Sequence, residues 1–272
     1  MKIKITFIGG GNMAGAIIGG LIRKRWPRKA IQVVEIAPAA REGLAREFKV
    51  KAQAALDARA AKSDCVVLSV KPQQVREAAA ALKPYLASQL VVTIAAGIRV
   101  KDLSRWLGGY RRIVRVMPNT PALVHAGISG LYAPAAVGAD SRAVAEKVLA
   151  AVGKTVWLER EEDIDAVTAV SGSGPAYVFY FIEALERAAR ELGLADDAAH
   201  RLAIETFNGA VKLAAQSSEP PETLRSRVTS KGGTTERALK SMEDDRVKDA
   251  IVRAVRAAAE RSRELGDELG RD

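Results

Sequence analysis

The sequence predicts an α/β protein: an N-terminal Rossmann-type doubly wound parallel sheet followed by an all-α C-terminal domain. Short, almost wholly apolar runs alternate with helix-like segments as far as about residue 160, the pattern of a parallel sheet covered on both faces. A glycine-rich turn directly follows the first of these runs. Beyond residue 160 only helical periodicity continues. We therefore expect one domain over residues 1–160 and a helical domain over residues 161–272.

The strand candidates are short runs rich in β-branched and aliphatic residues. They fall at 4–9, 31–36, 65–70, 90–96 and 112–117, with weaker candidates at 127–133 and 155–159. Helices are predicted near 12–24, 39–48, 73–82, 100–107 and 140–151. The helical half is interrupted at 171–175, 192–196, 217–222 and 229–235.

Composition excludes several classes of protein. The 272 residues carry a formal charge of +10, but basic and acidic residues alternate in segments such as REGLAREF and ERAAREL. This indicates a solvated basic surface rather than a nucleic-acid partner. The single cysteine, Cys65, rules out an intrachain disulfide and fits a reducing compartment. No apolar run reaches membrane-spanning length, so we expect a cytoplasmic protein with no membrane association.

The segment FIGGGNMAGA places Gly9, Gly11 and Ala14 in a G-x-G-x-x-[G/A] arrangement. It follows a predicted strand and opens a predicted helix, whose free N–H groups would bind a pyrophosphate. The alternative is a glycine-rich turn without a ligand. The combination of strand, turn and helix favours a dinucleotide.

Glu35 ends the second predicted strand, where an acid usually binds the ribose hydroxyls of a dinucleotide. Its charge would repel the 2′-phosphate of NADPH and favours NADH slightly. Arg41 would partly offset that charge, and a plain surface glutamate is the alternative. The choice between NADPH and NADH stays open.

Three loops, SVKPQ (69–73), AAG (95–97) and MPNTP (117–121), each follow a predicted strand and should meet at the carboxyl edge of the sheet. In them, Lys71 could bind phosphate or stabilise its loop. Asn119 could bind the nicotinamide ribose or ring amide, or serve the turn alone. Three such loops together indicate a cleft.

The helical half contains two unusual segments. SGSGPAYVFYFIEAL begins a helix that is apolar on every side, which favours burial in a subunit interface; Ser171 and Ser173 would cap this helix or face a ligand. VTSKGGTTERALK (228–240) crowds hydroxyls and glycines at a helix start, which suits the carboxylate of a small zwitterion. The only histidines, His125 and His200, predict neither a catalytic triad nor a metal site. A nicotinamide reaction without histidine indicates a substrate that already carries its proton, such as an iminium ion.

These motifs, in this order and spacing, resemble pyrroline-5-carboxylate reductases over essentially the whole chain. The two helical segments, AVSGSGPAYVFYFIEAL and VTSKGGTTERAL, are the most specific. The resemblance implies reduction of 1-pyrroline-5-carboxylate to L-proline with NADPH or NADH, the last step of proline biosynthesis. It also implies a homodimer interlocked through the helical domain, with dimers that often assemble into a decamer.

By position, the resemblance implies roles for individual residues. The backbone of Asn12 and Met13 would approach the pyrophosphate. The nicotinamide side would be lined by Ser69, Val70, Lys71, Pro72, Ala95 and Ala96. The substrate carboxylate would be bound by Ser230 and by the backbone of Gly233 and Thr234, in a pocket also shaped by Ser171 and Ser173. Thr235 would bind the imine nitrogen and donate a proton. Departures from the family pattern are Glu35 and the added charges of Arg227 and Lys231.

Two other functions stay open. Another Rossmann-plus-helical imine or hydroxyacid reductase would share the fold, but a hydroxyacid enzyme should show a catalytic lysine in the helical domain, which we do not find. A nucleotide-binding protein without catalysis would bind the coenzyme alone.

Overall fold

A computed structural model describes residues 3–271 and contains one sheet and twelve α-helices in this range. The strands are β1 (Ile5–Ile8), β2 (Ile31–Val34), β3 (Lys51–Gln53), β4 (Cys65–Leu68), β5 (Leu90–Thr93), β6 (Ile113–Met117), β7 (Gly127–Tyr132) and β8 (Gly153–Trp157). The helices are α1 (Asn12–Arg23), α2 (Pro38–Phe48), α3 (Ala58–Ala61), α4 (Val75–Leu82), α5 (Val100–Trp106), α6 (Ala139–Leu149), α7 (Asp163–Val167), α8 (Gly174–Glu191), α9 (Asp196–Gln216), α10 (Pro221–Arg227), α11 (Thr234–Asp244) and α12 (Val247–Leu269).

The sheet has the strand order β3-β2-β1-β4-β5-β6-β7-β8, with the change of direction in strand order between β1 and β4. β1 to β6 are parallel, β7 runs antiparallel to β6, and β8 is parallel to β7. The reversal at β7 follows from the short connection over residues 118–126, since a parallel crossover needs about a dozen residues or more. The predicted fold class is confirmed, with a sheet that is mixed at one end.

Alternate side chains of each strand enter two separate apolar cores, one on each face of the sheet. Phe7 and Val67 belong to the core that contains the buried side of α1, whereas Leu68 and Ile113 belong to the core beneath α4 and α5. This covering of both faces explains why the strands read as continuous apolar runs rather than as alternating ones.

The seven strand candidates all correspond to strands of the structure, but β3 is absent from the sequence prediction. Its three residues, KAQ, carry no apolar run, and it is held at the edge of the sheet by parallel pairing of Lys51 with Gln32. A strand this short owes its conformation to its neighbour rather than to its own residues.

The described chain forms two compact units. The first runs to Ser173 and also includes the segment from Ala258 onward, and the second spans Gly174–Ala257. Helix α12 therefore begins in the second unit and ends in the first. In the described part of the chain, no helix is both long enough and apolar enough to span a membrane.

The end of α12 is fastened to the first unit by polar contacts and close packing. The Ser262 hydroxyl donates to Asp165 Oδ1 at 2.6 Å, and both residues are buried. Arg99, just after β5, donates to Asp267 Oδ1 at 2.5 Å. Beside it, Gly97 adopts a φ of +73°, and a side chain there would come within 2.8 Å of Leu269 Cδ1. These contacts fix the loop that follows β5.

The second unit is helical and poorly covered. Among its described residues, the buried apolar side chains are those of Ala199 and Ala203 on α9. Helix α8 instead exposes large apolar groups, including Phe179 at 60% and Tyr180 at 72%. A face of this kind needs a partner surface to remove it from water.

Within the first unit, the carboxylate of Glu161, in the turn before α7, is bonded to both β6 and α5. Its Oε1 accepts from Arg115 Nη1 at 3.0 Å and from the Val100 N–H at 2.7 Å. Arg115 lies in β6, and its side chain is only 4% exposed. Because a buried guanidinium without its partner is costly, this pair matters more than a surface pair.

We expect Glu161→Ala to lower the free energy of unfolding by about 3 kcal/mol, since it leaves Arg115 buried without its carboxylate. Denaturant unfolding followed by circular dichroism measures the change. The control is Glu191→Ala, which breaks an exposed pair with Arg187 and should have a much smaller effect, because water screens this pair. Equal effects of the two variants would contradict the structural role of Glu161.

The buried thiol of Cys65 should make the stability of the protein depend on pH. Burial, and then the charge of Asp64, raise the pKa of its thiol to about 12. Above pH 9 the unfolded chain loses this proton while the folded chain retains it, so the free energy of unfolding should fall as pH rises, by up to about 1.4 kcal/mol per pH unit. Stability measured from pH 8 to 11 should show a smaller slope in Cys65→Ala, and an unchanged slope would refute this.

Candidate functional site

The site is built on the turn after β1, where Gly9 brings three strands together. Gly9 has a φ of +97°, and a side chain would come within 2.7 Å of the Ser69 backbone. Its N–H donates to Val34 O at 2.8 Å, and the Ser69 hydroxyl donates to its carbonyl at 2.8 Å. The turn therefore requires glycine here, and it links the carboxyl ends of β1, β2 and β4.

A cavity of 590 Å³ opens over this turn, at the point where the strand order reverses. In open α/β sheets this is where ligands bind. Its lining brings together six of the residues that the sequence predicted as cofactor ligands, namely Gly9, Gly11, Glu35, Ser69, Val70 and Lys71. The volume and apolar walls suit a nucleotide.

The conformation and surroundings of Gly11 indicate whether a dinucleotide fits the turn. Its φ of −69° is open to any residue, and a side chain there would have no protein atom within 4 Å. The fold itself gives no reason for glycine at this position, whereas a ligand phosphate lying against the backbone does. Gly11 is also the N-cap of α1 and offers no side-chain cap, so the first N–H groups of the helix face outward for an anion.

The carboxylate of Glu35 is fixed at the edge of this cavity. Its Oε2 accepts from the Gly10 N–H at 2.7 Å, and its Oε1 accepts from the Ala37 N–H at 2.8 Å. Arg41 Nη1 donates to the carbonyl oxygens of Glu35 and Ile36, at 2.9 and 3.2 Å. The acid therefore lies where a ribose would be bound.

Two of the lining residues that sequence reasoning passed over bear on nucleotide binding. Gly10 supplies the N–H that holds Glu35, and Ile36 lines the cavity while remaining 73% exposed. The sequence did contain a signal for Ile36, which directly follows the acid at the end of β2. An exposed apolar side chain beside a nucleotide site can pack against the base.

The other cofactor ligands predicted in the first unit do not line this cavity: Asn12, Met13, Pro72, Ala95, Ala96 and Asn119. Asn12 instead borders a second cavity, of 320 Å³, which His125 also borders. Asn119 is almost buried, with its Nδ2 donating to Ser171 O at 3.2 Å and its Oδ1 accepting from the Ile128 N–H at 2.9 Å. Its observed contacts tie the loop after β6 to residues 168–172.

Near the end of the first unit, Ser171 and Ser173 lie where a π-helical turn over Thr168–Gly172 leads into α8. The Ser171 hydroxyl donates to Val167 O at 3.0 Å, which links this turn to the end of α7. The Ser173 N–H donates to Thr168 O at 2.8 Å. π-helical turns occur often at functional sites.

In the helical unit, the turn between α10 and α11 contains the remaining predicted residues. Gly232 has a φ of +72°, and its N–H donates to Glu236 Oε2 at 2.7 Å. The Gly233 N–H donates to Ser230 O at 3.0 Å, and a side chain on Gly233 would come within 2.5 Å of Ser230 Oγ. The glycines thus let the Ser230 hydroxyl lie directly beside the start of α11.

Helix α11 begins at Thr234 with no side-chain cap on its N-terminus. Its first N–H groups and the hydroxyls of Ser230, Thr234 and Thr235 are therefore grouped at one helix end, an arrangement that binds carboxylates. The added charge of Arg227 is paired, since it donates to Glu219 Oε1 at 2.5 Å. Lys231 is exposed.

Fold and cavity together define a dinucleotide-dependent oxidoreductase with a Rossmann-type domain and a helical unit. Two family models match the chain, NADP oxidoreductase coenzyme F420-dependent over residues 4–97 and pyrroline-5-carboxylate reductase dimerisation over residues 161–265. A pyrroline-5-carboxylate reductase of Pseudomonas aeruginosa is 46% identical, with 98% of each chain covered. The chain belongs to the pyrroline-5-carboxylate reductase family.

Solved structures of the same family agree along the whole chain. A pyrroline-5-carboxylate reductase from Coxiella burnetii is 39% identical and superposes with a TM-score of 0.92, covering 97% of this chain and 99% of the other. The Plasmodium falciparum protein, solved with NADP bound, is 29% identical with a TM-score of 0.87, covering 98% and 99%.

The two glycines of the turn should separate folding from binding. We expect Gly11→Ala to leave the free energy of unfolding nearly unchanged while weakening dinucleotide binding at least about tenfold, because its methyl group fills space needed by the ligand. Gly9→Ala should destabilise the protein by more than about 1 kcal/mol, because φ is positive and the backbone of Ser69 is too close. Thermal unfolding and nucleotide titration measure both effects, and normal affinity in Gly11→Ala would contradict the assignment.

Proposed function

We propose that this chain reduces 1-pyrroline-5-carboxylate to L-proline with NADPH or NADH, as the last step of proline biosynthesis. The observation that supports this proposal is the open space beside the Gly11 backbone, where a side chain would meet no protein atom within 4 Å. It occurs in a chain that matches a pyrroline-5-carboxylate reductase over 98% of its length. Nucleotide binding is assigned to residues 1–160, and substrate binding with subunit pairing to residues 161–272. The lone buried Cys65 is in keeping with a cytoplasmic enzyme.

The bound nicotinamide supplies the hydride, and the protein contributes position and electrostatics. The N–H groups of Asn12 and Met13, at the uncapped start of α1, bind the pyrophosphate. The loops after β4 and β5 present Val70, Lys71 and Pro72, and Ala95 and Ala96, to the nicotinamide. Asn119 donates one hydrogen of its amide group to Ser171 O. Its second amide hydrogen is donated to the nicotinamide ribose or ring amide.

The start of α11 binds the substrate carboxylate. Gly233 already uses its N–H within the turn, so its part is to leave room for the Ser230 hydroxyl. That hydroxyl and the free N–H of Thr234 then donate to the carboxylate. Ser171 and Ser173 are proposed to contribute to the substrate site as well.

The Thr235 hydroxyl oxygen accepts the hydrogen bond of the ring N–H when the substrate is an iminium ion. No histidine is needed, because the imine nitrogen already carries its proton when it is an iminium ion. The threonine orients this nitrogen, so that the carbon bonded to it accepts the hydride.

Self-association accounts for the apolar surface of the helical unit. The dimerisation model covers residues 161–265, the part of the chain in which α8 exposes Phe179 and Tyr180. Pairing of two copies removes these side chains from water.

We expect Thr235→Ala to lower turnover by roughly ten- to a thousandfold, because the hydroxyl that orients the reacting nitrogen is lost. Thr235→Ser keeps the hydroxyl and should retain most of the activity. The loss of absorbance of the reduced nicotinamide as NADH or NADPH is oxidised, with saturating pyrroline-5-carboxylate, measures both variants. Unchanged turnover in Thr235→Ala would remove this residue from the reaction.

The same assay separates the alternatives. A hydroxyacid reductase would oxidise the coenzyme with a ketoacid and not with pyrroline-5-carboxylate. A protein that binds nucleotide without catalysis would show tight binding and no turnover with either substrate.

A further inference from the structure

The carboxylate of Glu35 is held rigidly at the end of β2. Both of its oxygens accept backbone N–H groups, from Gly10 at 2.7 Å and from Ala37 at 2.8 Å. Gly10 belongs to the turn that approaches the phosphates, and a side chain on it would come within 3.2 Å of Glu35 Oε2. The negative charge is therefore built into the turn and cannot swing away when a nucleotide binds.

The nearby cation that would neutralise this charge is engaged elsewhere. Arg41 Nη1 donates to the carbonyl oxygens of Glu35 and Ile36, which holds its guanidinium against the backbone of the loop between β2 and α2. Arg41 is not part of the cavity lining. Among the described lining residues the basic side chain is Lys71, which follows β4 rather than β2.

Around Glu35 the cavity offers little to a phosphate. Its neighbours in the lining include Ile36 and Ala37, together with Ala54, Ala55 and Leu56. A ribose 2′-hydroxyl can donate to the carboxylate, whereas a 2′-phosphate would place two negative charges side by side next to apolar groups.

We propose that Glu35 makes this enzyme selective for NADH over NADPH. This rests on the proposed function only in that the cavity binds a nicotinamide dinucleotide. Both lone-pair-rich oxygens retain acceptor capacity beyond the two backbone bonds, so the 2′- and 3′-hydroxyls can still be bound.

Equilibrium binding of each nucleotide tests the proposal independently of turnover. The dissociation constants of NADH and NADPH are measured by nucleotide fluorescence for the wild type, Glu35→Gln and Glu35→Ser. The wild type should bind NADH at least about tenfold more tightly than NADPH, the effect of a repulsion of roughly 1.4 kcal/mol or more. Both variants should reduce this ratio at least about threefold, mainly by improving NADPH binding.

A gain of function sharpens the test. Adding Ile36→Arg to Glu35→Ser places a cation at an exposed position of the cavity lining and should reverse the preference in favour of NADPH. The matched control is Glu42→Gln, which removes one negative charge from an exposed position of α2 outside the lining. It should leave the ratio as in the wild type.

Two results would overturn the proposal: equal or tighter binding of NADPH by the wild type, or an unchanged ratio in both Glu35 variants that fold normally by circular dichroism. The proposed function fails differently. Selective binding of NADH without turnover of pyrroline-5-carboxylate would refute the reductase activity and leave the selectivity of Glu35 supported.

Discussion

The close approach of Gly9 to the backbone of Ser69 is the constraint on which the nucleotide site depends. Two neighbouring parallel strands end side by side, and only a residue without a side chain can turn between them. This turn directs the start of α1 over the sheet edge, and through Gly10 it also positions the carboxylate of Glu35. The position of the uncapped start of α1 and that of the Glu35 carboxylate are thus consequences of one backbone contact.

The two units differ in how they are stabilised. The first buries its apolar side chains in two cores, one on each face of its sheet. The second leaves large apolar groups of α8 and α9 exposed, such as Phe179 and Leu202, in the part of the chain that matches the dimerisation model. Subunit pairing is therefore part of the stability of the helical unit as well as of its function.

Much of this architecture could be read from the sequence, because apolar runs and glycine positions report local requirements directly. The runs around Phe7, Val67 and Val92 mark buried strands, and the G-x-G pattern marks the turn. The features that could not be predicted from the sequence depend on tertiary contacts. β3 exists only through its pairing with β2, and the direction in which Arg41 points depends on carbonyls of a neighbouring loop. The residues of α12 give no local signal from which the contacts of its last turns with Arg99 and Asp165 could be predicted.

The split of α12 between the units has a consequence for biosynthesis. Residues from Ala258 onward leave the ribosome after the whole helical unit has been made, yet they complete the first unit. The Rossmann-type sheet therefore emerges early but acquires its contacts to Ser262 and Asp267 last. Final ordering of the loop after β5 must therefore wait until the last turns of α12 have been made.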